Sequence, residues 1–148
     1  MFRPFLALSV TGILLLTATP AALAQARPAC PLLSTADAAR LVGKPVGAQK
    51  ESTMGAAHYT ACRYTADDKS PAAVIDVEVY WQFAKMTFDG YCKGAETVTG
   101  VGDAACAAID TVNVLKGQSV LRVRVPGMAS PAWRTKGLDV AKAVLPKL

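Results

Sequence analysis

No Cys-x-x-Cys pair, no Cys-x-x-Cys-His and no closely spaced Cys/His set occurs in these 148 residues. Each of the four cysteines stands at least 14 positions from the next. That spacing excludes dithiol redox motifs, c-type haem attachment and short-spaced zinc sites. There is one histidine, so any imidazole chemistry must rest on His58 alone. Lys and Arg number 16 yet never form a run of three. A nucleic-acid surface needs clustered basic residues interleaved with aromatics, and that class is excluded. No Ser/Gly-rich or low-complexity tract divides the chain. One long apolar run exists, Phe5 to Leu16, and Thr17, Thr19 and Pro20 break it before the ~20 residues that a membrane span needs.

That run instead predicts a secretory signal. Arg3 supplies the positive start, Phe5 to Leu16 the apolar stretch, and Ala22-Leu23-Ala24 a small-residue cleavage site before Gln25. Residues 1–24 are therefore expected to leave, giving a mature chain of 25–148 that works in the periplasm or outside the cell. The net charge of +5 becomes +4, because Arg3 is the one charged residue lost. The mean hydropathy of +0.29 is inflated by the signal and does not argue for a membrane protein. Lipid attachment would need an apolar and small lead-in to a cysteine, and Arg27-Pro28-Ala29 before Cys30 lacks it. A mature chain of this size suits one domain that buries about two-thirds of its unfolded surface.

Four cysteines in a small exported domain predict two disulfides, with three possible connectivities. The expected pairing is Cys30–Cys62 and Cys92–Cys106. The first would tie the N-terminal segment to an early strand, the second a helix to the next strand. Both are structural in this reading.

Helices and strands alternate along the mature chain. Ser34-Thr35-Ala36-Asp37 reads as a capping box, with Leu33 before it as a staple residue and Gly43 and Pro45 stopping the helix. Val46 to Thr53 is a possible strand, His58 to Thr65 a clearer one, and Asp67-Asp68-Lys69-Ser70-Pro71 a turn. Ala73 to Trp81 alternates strictly. Ile75, Val77, Val79 and Trp81 point inward while Asp76, Glu78 and Tyr80 point to water. A helix over about Phe83 to Ala95 follows, with Ala84, Phe88, Tyr91, Cys92 and Ala95 on its core face. Ala104 to Ala108 and Thr111 to Leu115 are short strands, and Val120 to Val125 is a strand after the Lys116–Ser119 turn. Ser130-Pro131 opens a last helix with proline at its first position, carrying Leu138, Ala141, Val144 and Leu145 inward and ending at Pro146. Val77 and Val79 follow Cys62 by 15 and 17 positions, as Leu121 and Val123 follow Cys106. This echo leaves a duplicated strand–strand–helix unit open.

Three features resemble chemistry. Gly100-Val101-Gly102-Asp103-Ala104-Ala105 fits a loose dinucleotide-binding pattern, yet a strand follows it where that motif needs a helix, so a tight turn is expected. His58 would need a nucleophile and an orienting acid to act as a base; Ser52, Thr60 and Asp67 are near but sit in no nucleophile motif. Met54 with His58 offers two soft or borderline copper ligands, too few for a site. The aromatics Tyr80, Trp81, Phe83, Phe88 and Tyr91 read as core except Tyr80, which alternation places outward beside Asp76 and Glu78. If the two alternating strands are neighbours, Arg122 and Arg124 face these acids. Tyr80, Asp76, Glu78, Arg122 and Arg124 form the expected interaction surface.

The segment Cys30-Pro31-Leu32-Leu33-Ser34-Thr35-Ala36-Asp37-Ala38-Ala39, continued by Leu41-Val42-Gly43-Lys44-Pro45-Val46, resembles the opening of a group of small exported bacterial domains of unknown function. Cys62-Arg63-Tyr64 is similar to their Cys-x-Tyr/Trp strand, and Val98 to Ala105 to their Val-x-Gly-x-Gly-Asp-x-Ala segment. The resemblance implies an α+β fold and supports the Cys30–Cys62 bridge. Many such domains are lipoproteins, whereas this chain lacks the lipobox. The group supplies no catalytic residues to carry over. The expectation is thus a single α+β domain, an antiparallel sheet packed by about three helices and stapled by two disulfides. Its expected role is non-catalytic binding to an envelope or secreted partner, with no assigned catalytic, cofactor or metal residue. A secreted hydrolase or small-molecule enzyme using His58, and an inhibitor of a secreted protease or lysozyme, are the alternatives.

Overall fold

A computed structural model describes residues 26–54, 58–66 and 73–148. The expected signal segment and the Asp67–Pro71 turn lie outside the described residues. Ser34 caps α1 (Thr35–Val42): its Oγ accepts the Asp37 N–H at 3.1 Å and donates to the Asp37 carboxylate at 2.8 Å. The box differs from the reciprocal form, because Asp37 answers the serine hydroxyl rather than a backbone N–H. Arg40 hydrogen-bonds Asp37 and holds its carboxyl below the ordinary value.

Seven antiparallel strands follow: β1 (Ala48–Met54), β2 (Tyr59–Thr65), β3 (Ala73–Tyr80), β4 (Glu96–Val98), β5 (Ala104–Ala108), β6 (Thr111–Lys116) and β7 (Ser119–Arg124). They form one sheet in the order β1-β2-β3-β7-β6-β5-β4. Two meanders therefore meet where β3 pairs with β7. Helix α2 (Ala84–Cys92) links them, and α3 (Ala132–Val144) closes the chain. The fold is α+β, with three α-helices among the described residues. α2 begins one residue later than the pattern predicts because Phe83 is left-handed (φ +56) and ends the extended backbone. α3 likewise starts after Pro131, which stands at its cap. The three-residue β4 is too short to carry an alternation of its own. It survives as an edge through its pairing with β5.

Register divides the sheet into two faces. Cys62, Tyr64, Ile75, Val77, Val79, Val112, Val114, Leu121 and Val123 point to the first face, and α1 and α3 cover it as the main core. Gly137 lets α3 approach β6 closely, since a Cβ there would stand 2.9 Å from Val112 Cγ2. Trp81 continues this layer. Its Nε1 donates to Thr60 Oγ1 at 2.8 Å, and that hydroxyl donates to the Arg27 carbonyl, so the buried indole and hydroxyl are both satisfied. The Tyr64 phenol donates to the Leu33 carbonyl at 2.6 Å, and burial pushes its pKa up.

Both expected disulfides are present, Cys30–Cys62 and Cys92–Cys106. The duplication echo holds only for the central pair. Val77 lies opposite Val123 and Val79 opposite Leu121, but β6 rather than β5 flanks β7. Cys62 consequently points to the first face and Cys106 to the second. No helix among the described residues is long and apolar enough to cross a membrane. Two disulfides in one small domain fit an oxidising compartment.

Candidate functional site

The second face carries three cross-strand rows. Lys50, Arg63, Asp76 and Arg124 form one; Ser52, Ala61, Glu78, Arg122, Asn113 and Cys106 form the next; Met54, Tyr59, Tyr80, Val120, Leu115 and Ala104 form the third. α2 lies across the β5–β7 half of this face, where Ala84 and Phe88 pack on Val120 and Cys92 bonds to Cys106. Among the described residues no helix lies over the β1–β3 half. There Lys50, Ser52, Tyr59, Ala61, Arg63, Asp76 and Glu78 line a groove of about 270 Å³.

The five residues expected to form an interaction surface do share this face, but they are less exposed than alternation implies. Asp76 is 5% exposed beside its Arg63 partner, and Tyr80 is half-buried between Tyr59 and Tyr91 of α2. Tyr91, expected in the core, sits at the helix rim instead. Its hydroxyl meets that of Tyr80 at 2.8 Å, and its ring lies under the Arg122 guanidinium at 4.0 Å. Tyr59 stacks obliquely on Tyr80 with ring centroids 4.9 Å apart. Burial and the neighbouring Glu78 push the Tyr59 phenol up to about 12, so it stays a neutral donor.

Charges on this face are paired among themselves. Arg122 Nη1 donates to Glu78 Oε2 at 2.7 Å and Nε to Asn113 Oδ1 at 3.1 Å. Arg63 Nε donates to Asp76 at 2.8 Å. Arg124 stands opposite Asp76 in register yet pairs with Asp110, because Arg63 already occupies the Asp76 carboxylate. Lys50 alone among the groove's charges has no ion-pair partner among the described residues. Sequence reading missed Tyr59, Lys50 and Arg63. The alternation of β2 could have shown that Tyr59 and Arg63 share a face, but not that β2 borders β3.

Burial raises the Glu78 pKa above the ordinary 4.5, and Arg122 opposes that rise. A raised carboxyl favours folding below its unfolded value and disfavours it as pH climbs through the folded one. Arg122→Ala removes the counter-charge, so it is expected to cost about 2 kcal/mol at pH 7.5 and clearly less at pH 4, where Glu78 is protonated. Urea unfolding of both chains at the two pH values measures this. An equal loss at both would show that the guanidinium acts through packing alone.

The other candidates are distributed elsewhere. The His58 ring lies edge-on to Phe83, with its buried Nδ1 unpartnered among the described residues. Met54 ends β1 and is exposed. Cys30, Glu51 and Cys62 form the single metal-like cluster among the described residues. Its sulfurs are joined as a disulfide, and Glu51 accepts the N–H groups of Ala29 and Cys30, each at 2.7 Å, so its donors are already engaged. The glycine-rich loop is followed by β5, as the turn reading requires. Asp103 Oδ2 accepts the Gly117 N–H at 2.6 Å and locks the loop to the β6–β7 turn.

No family model matches this chain, and no curated protein matches it.

Proposed function

We propose that this protein is an exported, non-catalytic binding module of the cell envelope and that the groove over β1–β3 is its docking surface. The observation that carries the reading is the half-covered second face. α2 roofs β5–β7 and leaves a polar groove edged by tyrosine, arginine and carboxylate side chains. Tyr and Arg are the residues most enriched at interface hot spots. The ion pairs and the Tyr80–Tyr91 contact hold these groups in place before any partner arrives, which lowers the ordering cost of binding. Export is supported by the N-terminal pattern and by the disulfides.

Mature protein recovered from the periplasm is expected to begin at Gln25. Immobilised, it should retain a partner from envelope extract that a Tyr59→Ala, Lys50→Glu double variant binds at least about tenfold more weakly. Equal retention by a folded double variant would remove the groove from the reading. Recovery of the chain in the cytoplasm alone, with Met1 retained, would remove export.

A further inference from the structure

The two disulfides sit in opposite chemical settings. Cys30–Cys62 is buried against the first face, and a Glu51 carboxylate oxygen lies within 4.8 Å of the sulfurs. An approaching thiolate would meet an acidic group there. Cys92–Cys106 instead lines an open cavity of about 420 Å³, bounded by Phe88 and residues 97–105. Cys92, the last residue of α2, is partly buried, whereas Cys106 is 3% exposed on β5.

The two sulfurs also differ from each other. Asn113 is buried beside Cys106, and its Nδ2 donates to Cys106 Sγ at 3.5 Å. Its orientation is set by Arg122, which can only donate and does so to Oδ1. Arg122 in turn is anchored by Glu78. This chain runs straight along one cross-strand row, Glu78–Arg122–Asn113–Cys106. A guanidinium on its oxygen polarises the amide and strengthens its N–H as a donor to sulfur. Negative charge on Cys106 is thereby stabilised, while Cys92 sits at the negative end of a helix.

We propose that Cys92 is a thiol–disulfide exchange site for a thiol reductant, with Cys106 as the leaving sulfur. A reductant thiolate attacks Cys92 Sγ; a new S–S bond forms, and the Cys92–Cys106 pair of electrons leaves on Cys106 as thiolate beside Asn113. A second reductant thiolate then attacks the first reductant sulfur. This releases Cys92 as a thiolate, which takes a proton from water, and leaves the reductant as its disulfide. Leaving ability rises with stabilisation of the departing thiolate, so Asn113 directs which sulfur is attacked. Opening the bond frees the end of α2 that holds Tyr91 over Arg122.

The test treats the native mature chain with reduced glutathione, quenches with iodoacetamide and maps peptides by mass. Glutathione is expected on Cys92 and the alkyl group on Cys106, at least about tenfold faster than any label on Cys30 or Cys62. Asn113→Asp keeps a partner for Arg122 but removes the donor, and should slow the reaction about tenfold, the loss of one hydrogen bond to a charged group. Equal opening of the two bridges, glutathione on Cys106, or an unchanged rate in folded Asn113→Asp would each overturn the proposal. The first two readouts need no variant.

Discussion

Replacing Cys30 and Cys62 together by alanine is expected to lower folding stability by about 4 kcal/mol, a fall of roughly 15 °C in Tm. The bridge joins positions 32 apart, and the loop-entropy relation assigns such a closure about 3.7 kcal/mol. Packing adds to it. The 3-10 turn Cys30–Leu32 seats Leu33 over the sheet, and the Tyr64 phenol donates to the Leu33 carbonyl. Without the bridge that buried hydroxyl loses a pre-positioned acceptor. The Cys92→Ala, Cys106→Ala chain closes a separation of only 14 and is expected to lose about 3 kcal/mol. Urea unfolding of the two double variants checks the order. A smaller loss for the first pair would mean that the N-terminal segment stays docked without its staple.

Gly102→Ala should destabilise the fold by roughly 3 kcal/mol, whereas Gly100→Ala should cost about 1 kcal/mol. Both glycines have left-handed backbones, with φ of +62° and +76°. The difference lies in what surrounds them. A Cβ on Gly102 would stand 2.4 Å from Val114 Cγ1 and 2.6 Å from the Leu115 carbonyl oxygen, while Gly100 faces open space. Leu115 O also accepts the Asp103 N–H at 2.9 Å, so it cannot withdraw without breaking that bond. Thermal unfolding of the two variants tests the contrast. Similar small losses would show that the loop shifts away from β6 at little cost. The glycine spacing that resembles a nucleotide motif is thus explained by close passage over a strand.

Much of this architecture was legible because strands and helices carry their own periods. The alternation of Ala73 to Trp81 marks which residues of β3 are buried together, and the structure places Ile75, Val77, Val79 and Trp81 in the main core. The capping serine of α1 reads directly from Ser34 and Asp37. That the four cysteines form two bridges was legible too, and of the three connectivities the expected one is observed. The second face was not. Period two says that Asp76, Glu78 and Tyr80 share a side, but it is silent on what lies above them. Long-range partners decide that: Arg63 of β2 meets Asp76, Arg122 of β7 meets Glu78, and Tyr91 of α2 meets Tyr80. Asn113 gave no signal at all: a lone asparagine in a hydrophobic strand becomes notable only beside Cys106 and Arg122.

The amino-acid order alone determined most local elements, the inward side of β3 and the number of cross-links, because backbone periodicity acts over short stretches and four cysteines in a small exported domain make two bridges. Only the tertiary structure decided that β7 lies beside β3, that Arg63 rather than Arg124 holds Asp76, and that no helix among the described residues covers half of one sheet face. Strand order and helix placement follow from burying apolar surfaces far apart in sequence, and no short-range pattern records which of those surfaces meet.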